Sequence, residues 1–284
     1  MTHTSKFTDQ IFSSFGKSIG GYPIPERFTF PFSYEPHPLS LLAVEQLQSY
    51  LNTQQDWEHN FGLSNSDEAI IGKMFGVLVV KDENGEIGYL SAFSGKIAGR
   101  NNLEGFVPPI FDGVAEGGFL NIGMLELSQI NVEIKKLELL SSSKFVKEIY
   151  DLKVHRRSHS VSLQNQIFDQ YNFLNRNGET LSLRKIFENA SYKNPPAGAG
   201  ECAAPKLLQY AFQNKMTPLA MAEFWWGKSP KSAHWQHGKF YPACREKCEP
   251  ILGHMLSGIE LEERQANLPN LFPFGFLRKT DGSD

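Results

Sequence analysis

All three cysteines of this 284-residue chain lie in one stretch. Cys202 follows directly on the turn Pro195-Pro-Ala-Gly-Ala-Gly200 and Glu201, and Cys244 and Cys248 stand four residues apart behind Pro242. On a helix that spacing puts both thiols on one face. Three thiolates and a fourth group satisfy zinc, the candidate cofactor, and the nearby residues able to supply the fourth bond are Glu201, His234, His237 and His254. The ligand set taken forward is Cys202, Cys244, Cys248, Glu201 and His237. The competing reading is that Cys202 and Cys248 are small core residues, as free cysteines often are.

A second cluster has different chemistry. Lys153-Val-His-Arg-Arg-Ser-His-Ser160 is the densest basic run in the chain. It reads either as a solvated helix face or as a phosphate-contacting patch of Lys153, His155, Arg156 and Arg157, in which the two guanidiniums supply forked donors. Trp225, Trp226 and Trp235 are able to stack on bases, although aromatics beside an apolar run usually belong to a core. No phosphate-binding glycine loop, nucleophile elbow or His-Glu-x-x-His motif occurs, so no catalytic residue is assigned.

Composition bounds these readings. A net charge of −3 gives no global basic signature, so nucleic-acid contact has to use a local patch. The N-terminus lacks a charged region leading into an apolar core, and no apolar run reaches about 18 residues. A cytoplasmic protein without a membrane partner is expected, and an odd number of cysteines fits a reducing compartment.

The elements that must position the cysteines follow from periodicity. Residues 1–37, punctuated by Pro23, Pro25, Pro31 and Pro36, form an extended segment lying across the surface. Residues 38–123 hold a helix opened by Pro38 and a β-hairpin, Lys73–Lys81 and Glu86–Ser94, around an Asn-Gly turn; a long loop over 95–123 is packed by Phe106, Ile110 and Phe111. Residues 124–190 form an inserted helical hairpin with the basic run between its two long helices, then a short helix over Leu181–Glu188. Residues 191–266 return to the core with a helix over Glu201–Gln213, a buried strand Leu219–Trp226 and a helix from Pro242; 267–284 form a tail. Cys202 at a helix N-terminus has exposed amides and the helix dipole to favour its thiolate.

This order of hairpin, Cys-bearing helix, strand and second Cys-bearing helix resembles zinc-dependent cytidine-deaminase-like domains. The resemblance implies an α+β fold with a β-hairpin-based sheet packed by helices, a three-layer core, and zinc chemistry on a base or nucleotide. Two departures stand out: Ala204 occupies the position of the catalytic glutamate, and Pro-Ala-Cys-x-x-x-Cys has one residue too many.

Longer strings carry another resemblance. Tyr34-Glu-Pro-His-Pro-Leu39, Gly72-Lys-Met-Phe-Gly-Val-Leu78, Gly88-Tyr-Leu-Ser-Ala-Phe-Ser-Gly-Lys96, Phe106-Val-Pro-Pro109, Gly198-Ala-Gly-Glu-Cys-Ala-Ala-Pro-Lys-Leu-Leu208, Ala222-Glu-Phe-Trp-Trp-Gly227 and His237-Gly-Lys-Phe-Tyr-Pro-Ala-Cys244 are similar to the N-terminal region of a subgroup of large RluA-type RNA pseudouridine synthases. The likeness runs from about Pro23 to Gly258. It implies an accessory, RNA- or partner-binding region in rRNA or tRNA modification, with RNA or a pseudouridine synthase catalytic domain as partner. The isomerase's signature His-Arg-Leu-Asp is absent, and His155-Arg-Arg-Ser is not that motif. The chain stops about where the catalytic module would begin, as a stand-alone or truncated relative would, or a fragment.

Overall fold

The computed structural model describes residues 11–32, 35–63, 71–113, 117–140, 142–188, 190, 193–231 and 235–262. It divides into two compact units, one of residues 1–110 with 173–284 and the other Phe111–Asn172.

The first unit is an antiparallel sheet with helices on both faces. Strand β1 (Ser13–Ser14) is followed by helix α1 (Pro38–Thr53), which Pro38 opens while His37 Nδ1 accepts the N–H of Leu39 at 3.2 Å. β2 (Lys73–Lys81) and β3 (Ile87–Phe93) pair around the Asp82–Glu86 turn, where Asp82 Oδ1 accepts the N–H groups of Asn84 and Glu86. Further on come β4 (Asn172–Leu174), β5 (Thr180–Ser182), α4 (Leu183–Glu188), α5 (Ala203–Gln213), β6 (Thr217–Trp226), β7 (Phe240–Tyr241) and α6 (Arg245–Met255). Within the second unit the α-helices are α2 (Phe119–Leu139) and α3 (Val146–Gln170).

The sheet order is β1-β3-β2-β6-β7, with β4 and β5 forming a separate two-stranded sheet. β2 and β6 are buried over nearly their whole length because helices cover both faces. On one face Phe75, Val77, Phe224 and Trp226 pack with Val44 and Leu47 of α1 and with Phe106. On the other, Gly76 opposes Glu223, and a Cβ on Gly76 would sit 3.0 Å from Ala203 and 3.1 Å from Leu207. The missing side chain lets α5 lie close against β2.

Three expectations are corrected. The basic run does not connect two helices: residues 153–160 lie inside α3, which extends over 25 residues. The loop expected to reach 123 ends earlier, because α2 begins at Phe119; Gly123 is helical, and its lack of a side chain admits Leu163 of α3. The N-terminal segment is not merely draped over the surface. Phe28 and Phe32 are buried, and Thr29 bonds the edge of β6, donating its N–H to Leu219 O and accepting from Met221 N at Oγ1. β7 pairs only with Glu223 and Phe224, so the backbone groups of β6 beyond it need other partners. Among the described residues no helix is long and apolar enough to cross a membrane.

Candidate metal centre

α5 and α6 pack on each other and bring the cysteines together from both. Cys202 is the N-cap of α5 and Cys244 the N-cap of α6; Cys248 lies one turn further and is buried. All three thiols are free, and their sulfurs lie within 4.8 Å of one another, with Cys244 and Cys248 at 3.3 Å. Tetrahedral zinc with bonds near 2.3 Å separates its thiolates by about 3.8 Å, a spacing between the 3.3 Å of the Cys244–Cys248 pair and the 4.8 Å that bounds the group.

Cys202, the N-cap of α5, does not spend its side chain on the helix it opens. The first free amides of α5 are met from the sheet instead: Ala203 N–H donates to Ser94 Oγ at 3.2 Å, and Ala204 N–H donates to the carboxylate of Glu223. Those two acceptors leave the Cys202 sulfur available to the cluster.

The electrostatics concentrate one negative charge at the site. The thiols of Cys202 and Cys248 hydrogen-bond to Cys244 and hold it well below the usual thiol range, with help from the N–H groups of Lys247 and Cys248. Cys202 is pushed up chiefly by its hydrogen bond to Cys244, against the opposing effect of Cys248, and Cys248 is pushed up by its hydrogen bonds to both other thiols and by burial. Glu223 is pushed up to about 8 by burial and then by the Cys244 charge. Lys206, its ammonium 4.6 Å from the Phe93 ring centre, is lowered to about 8 by burial, while Glu201 and Cys202 pull the other way.

The remaining sequence candidates are placed as follows. Glu201 is exposed next to Cys202, but the group of mutually close ligand atoms among the described residues comprises the three sulfurs alone. His237 is engaged elsewhere: its ring lies 4.3 Å from that of Trp226, and Nδ1 accepts the N–H of Gly227 at 2.9 Å. His254 Nε2 is 2.9 Å from the carbonyl of Phe173. His234 lies outside the described residues. In the basic run, Lys153 pairs with Glu138 at 2.6 Å and Arg156 donates to Asn131 Oδ1 at 2.6 Å; Arg157 and His155 are exposed. Trp225 and Trp226 are buried in the core.

Glu223 and Lys206 were missed by reading motifs along the chain. The signal was present: a carboxylate within the apolar run Met221-Ala-Glu-Phe-Trp-Trp226 is a charge that a buried strand does not tolerate without a partner. Comparisons of the chain with protein-family models, curated proteins and solved structures find no match. Its class is therefore defined by fold and site alone: an α+β protein with a three-thiol cluster between two helix N-termini, able to bind a metal such as zinc.

Proposed function

We propose that the chain is a zinc-thiolate protein in which Cys202, Cys244 and Cys248 hold the ion and tie α5 to α6. The observation that carries this reading is the convergence of three sulfurs within 4.8 Å from residues 42 and 46 positions apart. Cys244, at the N-terminus of α6, is already held as a thiolate, and Lys206 supplies a buried cation beside the cluster's charge. The decisive experiment is the metal content of protein purified without added zinc. About one zinc per chain is expected, falling to a small fraction in Cys202→Ser; a stoichiometry well below one in the unmodified chain overturns the reading.

A second reading, hydrolysis at zinc on a deaminase-like core, is favoured by one observation: Glu223 supplies a buried carboxyl beside Cys244 where the sequence lacks a glutamate two residues after Cys202. Bound zinc would supply a Lewis acid and lower the pKa of a coordinated water. Glu223, protonated at neutral pH, would hold the proton for a leaving amine. The order of β2–β3 hairpin, α5, β6 and α6 supports the same reading. Glu223→Gln with full zinc occupancy and undiminished turnover of a nucleoside or base would eliminate it.

The setting we propose is RluA-type pseudouridine synthesis, with the chain as an accessory region contacting RNA or a catalytic domain; its support is the set of shared strings from Tyr34 to Cys244.

A further inference from the structure

The second unit contains a surface that the metal centre does not use. α2 and α3 run antiparallel, as the contacts Glu126 to His159, Asn131 to Arg156 and Glu138 to Lys153 require. They pack closely, Gly123 of α2 admitting Leu163 of α3, and beside that seam the pair leaves a groove of about 770 Å³. On α3 the groove is walled by Tyr150, Val154, Arg157 and Val161, whose intervals of four, three and four residues keep them on one side of the helix. On α2 Met124, Ser128 and Asn131 form the matching wall.

The walls combine two kinds of side chain. Met124, Tyr150, Val154 and Val161 are between 49% and 66% exposed, large apolar groups left in water along one groove. The charged residues of the groove are Lys153, Arg156 and Arg157, and it contains no aspartate or glutamate. Asn131 holds the Arg156 guanidinium at 2.6 Å without cancelling its charge. Glu138 meets Lys153, but both are about half exposed, and such a pair contributes little, so the ammonium remains open to a second carboxylate. Arg157, between Val154 and Val161 on the wall, has no ion-pair partner among the described residues.

We infer that this groove takes an acidic amphipathic helix from a partner protein, its apolar face on the two walls and its carboxylates on Arg157, Arg156 and Lys153. Charge selects the acid. Three cations without a carboxylate in the groove favour an anionic guest, and the guanidinium fork of Arg157 matches a carboxylate. The same charge opposes a second copy of this face, which would set cation against cation. The apolar walls select a protein over a nucleic acid. Bases need stacking platforms, and Tyr150 is the one aromatic ring lining the groove, whereas an amphipathic helix has apolar side chains for Met124, Val154 and Val161. Backbone chemistry selects a helix over an extended peptide. The amide and carbonyl groups of α2 and α3 are spent within the helices, so a guest gains no backbone partners there and must satisfy its own. Size agrees: Tyr150 to Val161 is eleven residues, about 16 Å, the rise of three helical turns. Such a partner fits the accessory role proposed above, and its binding requires neither that role nor the zinc.

The test uses the full chain and a fluorescent helical peptide of about 18 residues, with leucine at positions i, i+4, i+7 and i+11 and glutamate flanking them; a lysine-for-glutamate version is its control. Fluorescence anisotropy should show saturable binding of the acidic peptide, at least about tenfold tighter than the basic one and weakening as salt rises from about 0.05 to 0.5 M. Arg157→Glu should cost the acidic peptide at least about tenfold and remove its advantage over the basic one. Val154→Asp, in the apolar wall, should weaken the acidic peptide to a similar extent. Circular dichroism and zinc content should be unchanged in both variants, so that lost binding is not lost fold and the metal centre is read separately. The comparison of the two peptides on the unmodified chain stands whatever the variants do. Absence of saturable binding up to about 200 µM protein overturns the proposal, as does equal affinity for the two peptides or an affinity indifferent to both substitutions. Tighter binding of a single-stranded RNA of about 20 nucleotides, lost in Arg157→Glu, overturns it in favour of a nucleic-acid face.

Discussion

Glu223 on β6 accepts the N–H of Ala204 in the first turn of α5, one residue beyond the Ala203 N–H taken by Ser94 Oγ. The sheet thus caps the helix that carries Cys202, and the cysteine sulfur is left for the cluster.

If zinc ties α5 to α6, its removal acts like cutting a cross-link. Cys202→Ser, or exhaustive chelation of the unmodified chain, should lower stability by about 2–5 kcal/mol, the range for losing a structural cross-link. Thermal or denaturant unfolding with and without chelator checks this, and zinc should restore the unmodified chain but not the variant.

Thiol reactivity should be ordered. Cys244 is exposed and held as a thiolate, whereas Cys248 is buried and held protonated. In metal-free protein at pH 6, iodoacetamide should modify Cys244 first and Cys248 last, as read by peptide mass mapping. Zinc should protect all three.

Glu223 makes the stability of the metal-free chain depend on pH. Its folded pKa, about 8, lies above the ordinary 4.5, so the folded state binds more protons than the unfolded state between those values. The stabilising contribution is complete below pH 4.5 and is lost as pH rises through 8. Glu223→Gln should flatten that decline and leave the variant more stable at pH 8, by on the order of a few kcal/mol. Urea midpoints at pH 5, 6.5 and 8 measure it; parallel slopes for both proteins would contradict it.

Gly76 sets the distance between β2 and α5. A Cβ there already meets Ala203 and Leu207 at 3.0 and 3.1 Å, so Gly76→Val should force the helix away at a cost of about 1–3 kcal/mol. Because α5 carries Cys202, zinc affinity should fall with stability, and a calorimetric titration should show both losses in one variant.

Much of this was legible in the residues. Pro38 and the following leucines announced α1; the Asp82-Glu-Asn-Gly85 turn between β-rich runs announced the β2–β3 hairpin; the apolar run ending in Trp225 and Trp226 announced β6. These signals are local, written in turn chemistry and in periods of 2 and 3.6 residues. The three cysteines were recognisable as soft donors for the same reason: chemistry belongs to the side chain. The extent of α3 is less legible, because polar residues fill most of this 25-residue helix and the basic run Lys153–Ser160 inside it reads as a break between helices.

Tertiary structure alone decided which residues meet. Spacing along the chain does not say that Cys202 reaches Cys244 across 42 residues, since packing of α5 on α6 sets that distance. Nor does it say that His237 turns to Trp226 and Gly227 instead of the thiols. Glu223 is the clearest instance. In sequence it is one carboxylate 21 residues after Cys202. Only its placement opposite Gly76, beneath the open amides of α5 and away from water, gives it a proton at neutral pH and a place beside the cysteine cluster. Residue types determine which bonds a chain is able to make, and burial and juxtaposition select among them.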